Sequence, residues 1–184
     1  MKKTTWIIVG IIVLVALWFV SGYNRFVTLG AAVDNQWAQV EAQYQRRFDL
    51  IPNLVASTQG VLKQEQKVFG DLAEARTKYS GASSVGEKVA AANQVEGALS
   101  RLLVIVENYP QLRSVETVQT LMSQLEGSEN RISVERQRFN EAVTTLNVRV
   151  KRFPSSIIAS IFGVEAREYF DAAKGAEVAP KVEL

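Results

Sequence analysis

The 184-residue sequence contains no histidine and no cysteine. Without cysteine there is no disulfide framework, thiolate nucleophile, zinc ribbon or lipid-modified N-terminal cysteine, and cysteine usage says nothing of redox compartment. Without histidine, imidazole-based triads, two-histidine zinc sites and Glu-x-x-His di-iron sites are excluded. Proline is scarce, at four residues, so long helices meet few interruptions. Acidic residues are missing from the first 33 positions, and the first 24 carry only two charges, Lys2 and Lys3. A mean hydropathy near zero therefore averages over an uneven chain of about one domain's length.

What stands at the N-terminus is a run of 21 uncharged residues, Thr4 to Asn24, the length a helix needs to cross roughly 30 Å of hydrocarbon. Its centre comprises Trp6, Ile7, Ile8, Val9, Gly10, Ile11, Ile12, Val13, Leu14, Val15, Ala16, Leu17, Trp18, Phe19 and Val20. The eleven Ile, Val, Leu and Phe residues among them supply roughly −3 to −7 kcal/mol toward insertion. Trp6 at one end and Trp18 with Tyr23 at the other suit an aromatic belt at both interfaces. The competing reading is a cleaved signal peptide with Lys2 and Lys3 as its n-region. Against it, bulky Trp18 and Phe19 occupy the place where small residues should mark a cleavage site. The positive-inside rule puts the N-terminus in the cytoplasm, because Lys2 and Lys3 precede the run and only Arg25 follows it before Arg46.

Beyond the run, apolar residues recur at steps of three and four. One stripe reads Val33, Trp37, Val40, Tyr44, Arg47, Ile51, Leu54, Thr58, Val61, Glu65, Val68, Leu72 and Ala75; ten of the thirteen are apolar, which predicts a helix with one buried seam from Asn24 to Arg76, bent at Pro52. Residues 78–86 are rich in Gly and Ser and predict a loop. A second helix carries Ala92, Val95, Leu99, Leu102, Val106 and Tyr109 on one face and ends before Pro110. Ser114 is the candidate cap of a third, striped by Val118, Met122, Leu125, Glu129, Ile132, Arg136, Phe139, Val143, Leu146, Val150 and Phe153. Phe153-Pro154 ends it, and a short apolar segment from Ile157 to Phe170 follows.

No run alternates with period two for long enough to be a strand, so the predicted class is all-α. Three seams and a short terminal helix predict an antiparallel, up-and-down bundle of three to four helices. A homo-oligomeric coiled coil is the competing use of the same heptads, but the turns at 77–86 and 110–113 permit chain reversal. The predicted division is an anchor at 1–24, a bundle at 25–173 and a flexible tail at 174–184.

Particular words resemble the LemA family of bacterial envelope proteins. They are Tyr23-Asn24, Trp37, the stretch Arg46-Arg47-Phe48-Asp49-Leu50-Ile51-Pro52-Asn53-Leu54-Val55, Glu65, Ala75-Arg76 and Tyr109-Pro110-Gln111-Leu112. Next come Leu125-Glu126-Gly127-Ser128-Glu129-Asn130-Arg131-Ile132, Arg136, Phe139-Asn140, Asn147 and Phe153-Pro154. The family usually has Tyr before each of the two late Asn residues; here Phe139 and Leu146 stand there, so no role needing those hydroxyls carries over. The resemblance implies a membrane-anchored helical bundle in the bacterial inner membrane and brings no catalytic activity or cofactor with it.

Glu129 and Arg136 interrupt the third stripe seven residues apart, about 10.5 Å along one helix and too far to pair with each other. Buried charge needs partners, and Arg47, Glu65 and Arg76 are the candidates. One straight helix pair cannot match Arg47 to Glu129 and Glu65 to Arg136 together, since 18 residues would have to span seven. Arg47, Glu65, Arg76, Glu129, Asn130, Arg136 and Asn140 are read as a polar layer that fixes register. The rival reading makes Glu65, Glu129, Asn130, Arg136 and Asn140 line a ligand or metal site.

The basic cluster Arg149, Lys151 and Arg152 reads as a solvated helix face. Without Lys2 and Lys3 the chain has 19 basic and 19 acidic residues, which gives no field for nucleic acid. Gly81 and Gly86 belong to no phosphate-binding loop. The expected function is a non-enzymatic scaffold or docking module, with the bilayer, other membrane or envelope proteins and a second copy as partners. A lipid-binding or membrane-remodelling bundle is the alternative, and a carboxylate- and Arg-based enzyme the remote one.

Overall fold

The apolar stripes fold as helices. The structure is a computed structural model, and it describes residues 2–58 and 66–170. The elements are α1 (Lys2–Thr58), α2 (Gln66–Gly81), α3 (Val85–Asn108), α4 (Pro110–Arg113), α5 (Glu116–Lys151) and α6 (Ser155–Ile161), with no strand among the described residues. The protein is all-α.

The element boundaries differ from the sequence reading at three places. The first stripe is divided between α1 and α2, and its Val61 and Glu65 lie outside the described residues. Pro52 lies inside α1, as the sequence reading has it. Proline is tolerated there because its ring is exposed while Ile51 and Leu54 on either side are buried. One turn further on, the Ser57 and Thr58 hydroxyls donate to the Asn53 and Leu54 carbonyls at 2.8 Å each.

The loop expected over 78–86 shrinks to residues 82–84, because buried Tyr79 holds the end of α2. Ser84 then caps α3. Its Oγ accepts from the Glu87 N–H at 3.2 Å, and the Glu87 carboxylate accepts from the Ser84 N–H at 3.2 Å. The Ser83 N–H, and after it the Ser84 N–H, donate to the Glu87 carboxylate and hold it below its usual range. Ser114 is not the cap of α5. Its hydroxyl donates to Gln111 at 3.0 Å and closes the short α4 instead.

The described residues form two compact units, 40–136 with 170, and 2–39 with 137–169. In the first, side-chain pairs give the helix directions. Arg47 meets Glu129 while Tyr44 meets Arg136, so α1 and α5 run antiparallel. Glu41 meets Lys88 while Tyr44 meets Glu96, so α1 and α3 run parallel. Lys78 meets Gln94 while Asp71 meets Arg101, so α2 opposes α3. The result is an up-and-down arrangement of four helices around Val40, Phe48, Leu54, Leu72, Val95, Leu99, Leu102, Leu125 and Ile132. Each fully buried Leu there contributes about 2 kcal/mol over an exposed one. The ring of Tyr79 lies 4.8 Å from that of Phe48 and 5.4 Å from that of Tyr44, tying α2 to α1.

In the second unit, α1 again opposes α5: Trp37 stacks edge-on against Phe139 at 5.3 Å, and Arg149 lies over Phe26 at 5.7 Å. Phe26, Leu29, Val33, Val143, Leu146 and Ile158 are its buried core. Where Ile158 reaches α1, a Cβ on Gly22 would stand 2.3 Å from its Cδ1, so glycine admits the close approach. Gly163, at φ +64°, turns the chain out of α6, with the Val164 N–H reaching back to the Ala159 carbonyl at 2.9 Å. The following segment is held by buried Asn147. Its amide donates to the Arg167 carbonyl and accepts from the Arg167 N–H, both at 2.8 Å. Removing both bonds in Asn147→Ala should cost about 2 kcal/mol. The Arg167 amide should lose its hydrogen-exchange protection while the α3 amides keep theirs.

Candidate functional site

Two features carry chemistry beyond packing. The first is the N-terminal part of α1. From residue 3 to 21 no residue is buried, and burial begins at Gly22. Trp6 is 76% exposed, Leu14 68% and Ile12 61%, on all sides of the helix. A helix that is apolar all round and left unburied by the described residues suits apolar surroundings. The segment is long and apolar enough to cross a membrane. Helix α3 passes the same test of length and composition, but its Val95, Leu99, Leu102 and Val106 are fully buried in the bundle.

The second feature is a polar cluster bridging α1, α3 and α5 in the four-helix unit. Arg47, 5% exposed, donates to Glu129 and lies 3.8 Å from Glu96. Arg136 pairs with Glu96 through Nη2, and its Nε donates to the Tyr44 hydroxyl at 3.1 Å. The Tyr44 hydroxyl in turn donates to Glu96 at 2.9 Å. The Arg136 guanidinium sits 4.4 Å from the ring centroid of buried Phe170 and 5.6 Å from that of Tyr44, suitable for cation–π attraction. Two guanidinium groups therefore face two carboxylates, and the cluster is formally neutral.

Burial raises the Tyr44 hydroxyl well above its ordinary range, against the opposing pull of Arg136 and Arg47. It also lowers Arg136, which the Tyr44 hydroxyl partly offsets. Tyr79 is raised by burial and by the Glu41 charge.

The sequence reading placed seven residues in this layer. Arg47, Glu129 and Arg136 come together. Asn130 is exposed, one position round the helix from Glu129. Arg76 is half-buried on α2 and, among the described residues, takes no part in the cluster. Asn140 belongs to the other unit. Glu65 lies outside the described residues. Tyr44 and Glu96 were missed. Tyr44 stood in the first stripe as an aromatic whose buried hydroxyl must find a partner. Glu96 lies four residues after Ala92 and three before Leu99, at the flank of the second apolar face.

Among the described residues no group of three acidic side chains could hold a metal ion. Among the described residues, an open cleft of about 600 Å³ lies between α1 and α5 in the four-helix unit and is lined by Gln43, Arg46, Asp49, Ser128 and Arg131 among others. A smaller one of about 350 Å³ lies between α2 and α3, beside the Asp71–Arg101 ion pair.

Glu96→Gln should lower stability by about 2 kcal/mol, less than for a wholly buried pair because both carboxylate and guanidinium are partly exposed. Asn130→Ala should change it by under about 0.5 kcal/mol. Urea unfolding separates the two, and equal effects would remove the cluster's structural role. The raised hydroxyls set an alkaline limit as well. Their neutral forms are favoured by folding, so this stability is full below pH 10.0, the ordinary tyrosine value, and is lost as pH rises toward their folded values. In an alkaline titration the phenolate absorbance of Tyr44 and Tyr79 should appear together with loss of helical circular dichroism. Tyr44→Phe/Tyr79→Phe should remove that coupled component.

The sequence profile of the LemA family matches residues 36–184. The chain is also similar to the magnetosome proteins MamQ 1 and MamQ 2 of Paramagnetospirillum magneticum and MamQ of Magnetospirillum gryphiswaldense. Each is 29% identical over 174 residues, covering 80% of this chain and 64% of the relative. The chain thus spans less than two thirds of the length of these relatives. The family match itself extends from just before Trp37, through the four-helix unit and the Asn147 clamp, to the C-terminus, and by it the chain belongs to the LemA family.

Proposed function

We propose that this protein is a single-pass, membrane-anchored helical bundle of the bacterial envelope that works by docking other proteins rather than by catalysis. The observation that carries the reading is the apolar segment Trp6–Val20, exposed on all sides, continuing without interruption into a helix whose later turns are packed in a core. A lipid surround removes the penalty of that exposure. Residues 1–24 are the proposed anchor. Lys2 and Lys3 favour a cytoplasmic N-terminus, with the bundle on the outer side of the inner membrane.

The polar cluster supports a structural role for the charged residues in the bundle. Arg47, Arg136, Glu96 and Glu129 are engaged with one another across three helices, which suits fixing register more than turning over a substrate. Proposed partners are other membrane or envelope proteins and a second copy of the chain. The related proteins carry a name that states a location, the magnetosome, and no reaction.

Photo-crosslinkers at exposed apolar positions of the bundle, Val104 and Val134, should trap discrete adducts in intact cells. Adducts indistinguishable from those of an unrelated membrane protein would end the docking reading. Protease added outside the inner membrane should digest the bundle and spare the anchor.

A further inference from the structure

We infer that the corner between α5 and α6 is a second membrane contact, a foot lying in the headgroup region of the bilayer beside the point where α1 emerges. The inference rests on the proposed anchor. It starts from an anomaly in exposure: Phe153 is 76% exposed, Ile161 61%, Phe162 46% and Ile157 43%, all within ten residues. Ile157 and Ile161 are four apart and form one stripe of α6, while Ile158 between them is buried toward Gly22. Helix α6 therefore has an inner apolar residue held by α1 and an outer apolar stripe that the described residues leave exposed.

The place of this patch identifies its occupant. Ile158 meets α1 at Gly22, and the Phe162 ring lies 4.6 Å from the Tyr23 ring. Both positions fall in the last three residues of the uncharged run Thr4–Asn24, where the proposed span ends. At about 1.5 Å per residue they lie within about 3 Å of its end. A hydrocarbon core of roughly 30 Å takes about 20 residues, so α6 meets α1 at the boundary between hydrocarbon and headgroups. Aromatic and aliphatic side chains of an amphipathic segment partition into that layer.

Charge agrees with position. Residues 142–164 contain three basic side chains, Arg149, Lys151 and Arg152, and no acidic one. Lys151 and Arg152 are exposed immediately before Phe153, where an anionic lipid surface would attract them. In sequence this cluster reads as a solvated face. Its neighbourhood in the fold, an apolar patch at the mouth of the span, gives it a partner of opposite charge. A bilayer satisfies the apolar and the basic residues together.

The test uses the full chain reconstituted in bilayers of phosphatidylethanolamine and phosphatidylglycerol. The protein has no cysteine, so spin labels go singly onto Phe153→Cys and Ile161→Cys, with Val13→Cys as the span reference and Gln137→Cys, on α5 far from α6, as the water reference. Collision with oxygen reports lipid, and collision with a water-soluble nickel chelate reports water. Labels at 153 and 161 should favour oxygen over nickel several-fold, intermediate in depth between 13 and the surface. If they behave like the label at 137 while that at 13 remains in lipid, the foot is overturned and the anchor stands. If the label at 13 is also in water, both fail. Low collision with both reagents at 153 and 161, with spin–spin broadening, would mean that a second copy covers the patch, which also overturns the inference.

Discussion

Two guanidinium groups inside a helical bundle must be neutralised where they stand, and meeting that requirement aligns three helices at once. Arg47 belongs to α1 and Arg136 to α5; the carboxylate between them, Glu96, comes from α3. Sliding any one of these helices by a turn would leave a charge without its partner, at a penalty of several kcal/mol. Apolar seams alone tolerate such slips, because one Leu packs against another in more than one register. The Tyr44 hydroxyl, donating to Glu96 and accepting from Arg136, completes the set and makes the ring itself part of the polar layer. The Phe170 ring adds a cation–π contact, 4.4 Å from the Arg136 guanidinium.

The other unit solves a different problem with uncharged groups. Its short terminal helix has to turn back on α1, and three local devices achieve this. Gly22 lets Ile158 approach the α1 backbone, and Gly163 supplies the left-handed turn. Asn147 then pairs with the Arg167 peptide as a neighbouring strand would. The same fold-back leaves Phe153, Ile157 and Ile161 outward, which is the origin of the apolar foot. A helix of seven residues is too short to hold its own shape in water. Its packing through Ile158 and Ala159, together with the Asn147 clamp beyond it, fixes the corner.

Much of the fold was legible in residue spacing. The seam positions Val40, Leu54, Leu99, Leu125 and Ile132 are buried where the three-and-four rhythm puts them, since helical periodicity is a local property. The boundaries were less legible. Pro52 would bend or stop an isolated helix, yet buried neighbours carry α1 past it. The Ser84-x-x-Glu87 capping box was present as a pattern but hidden in a Ser- and Gly-rich stretch. Within the polar cluster, Glu129 and Arg136 announced themselves as charges in a seam. Glu96 did not, because it stands beside its stripe and becomes central only when α1 and α5 close over it.

The sequence by itself determined the all-α class, the three helical stripes and the 21-residue uncharged run at the N-terminus, because each depends on residues close along one chain. Only the tertiary structure decided which charge meets which. Arg47 chose Glu129 and shares Glu96 with Arg136 across separations of 40 to 82 residues, distances over which composition and periodicity carry no information. It also decided that the basic residues at the end of α5 stand beside an exposed apolar corner at Gly22 and Tyr23. Those neighbours are brought together by chain reversal, which spacing alone permits but does not specify.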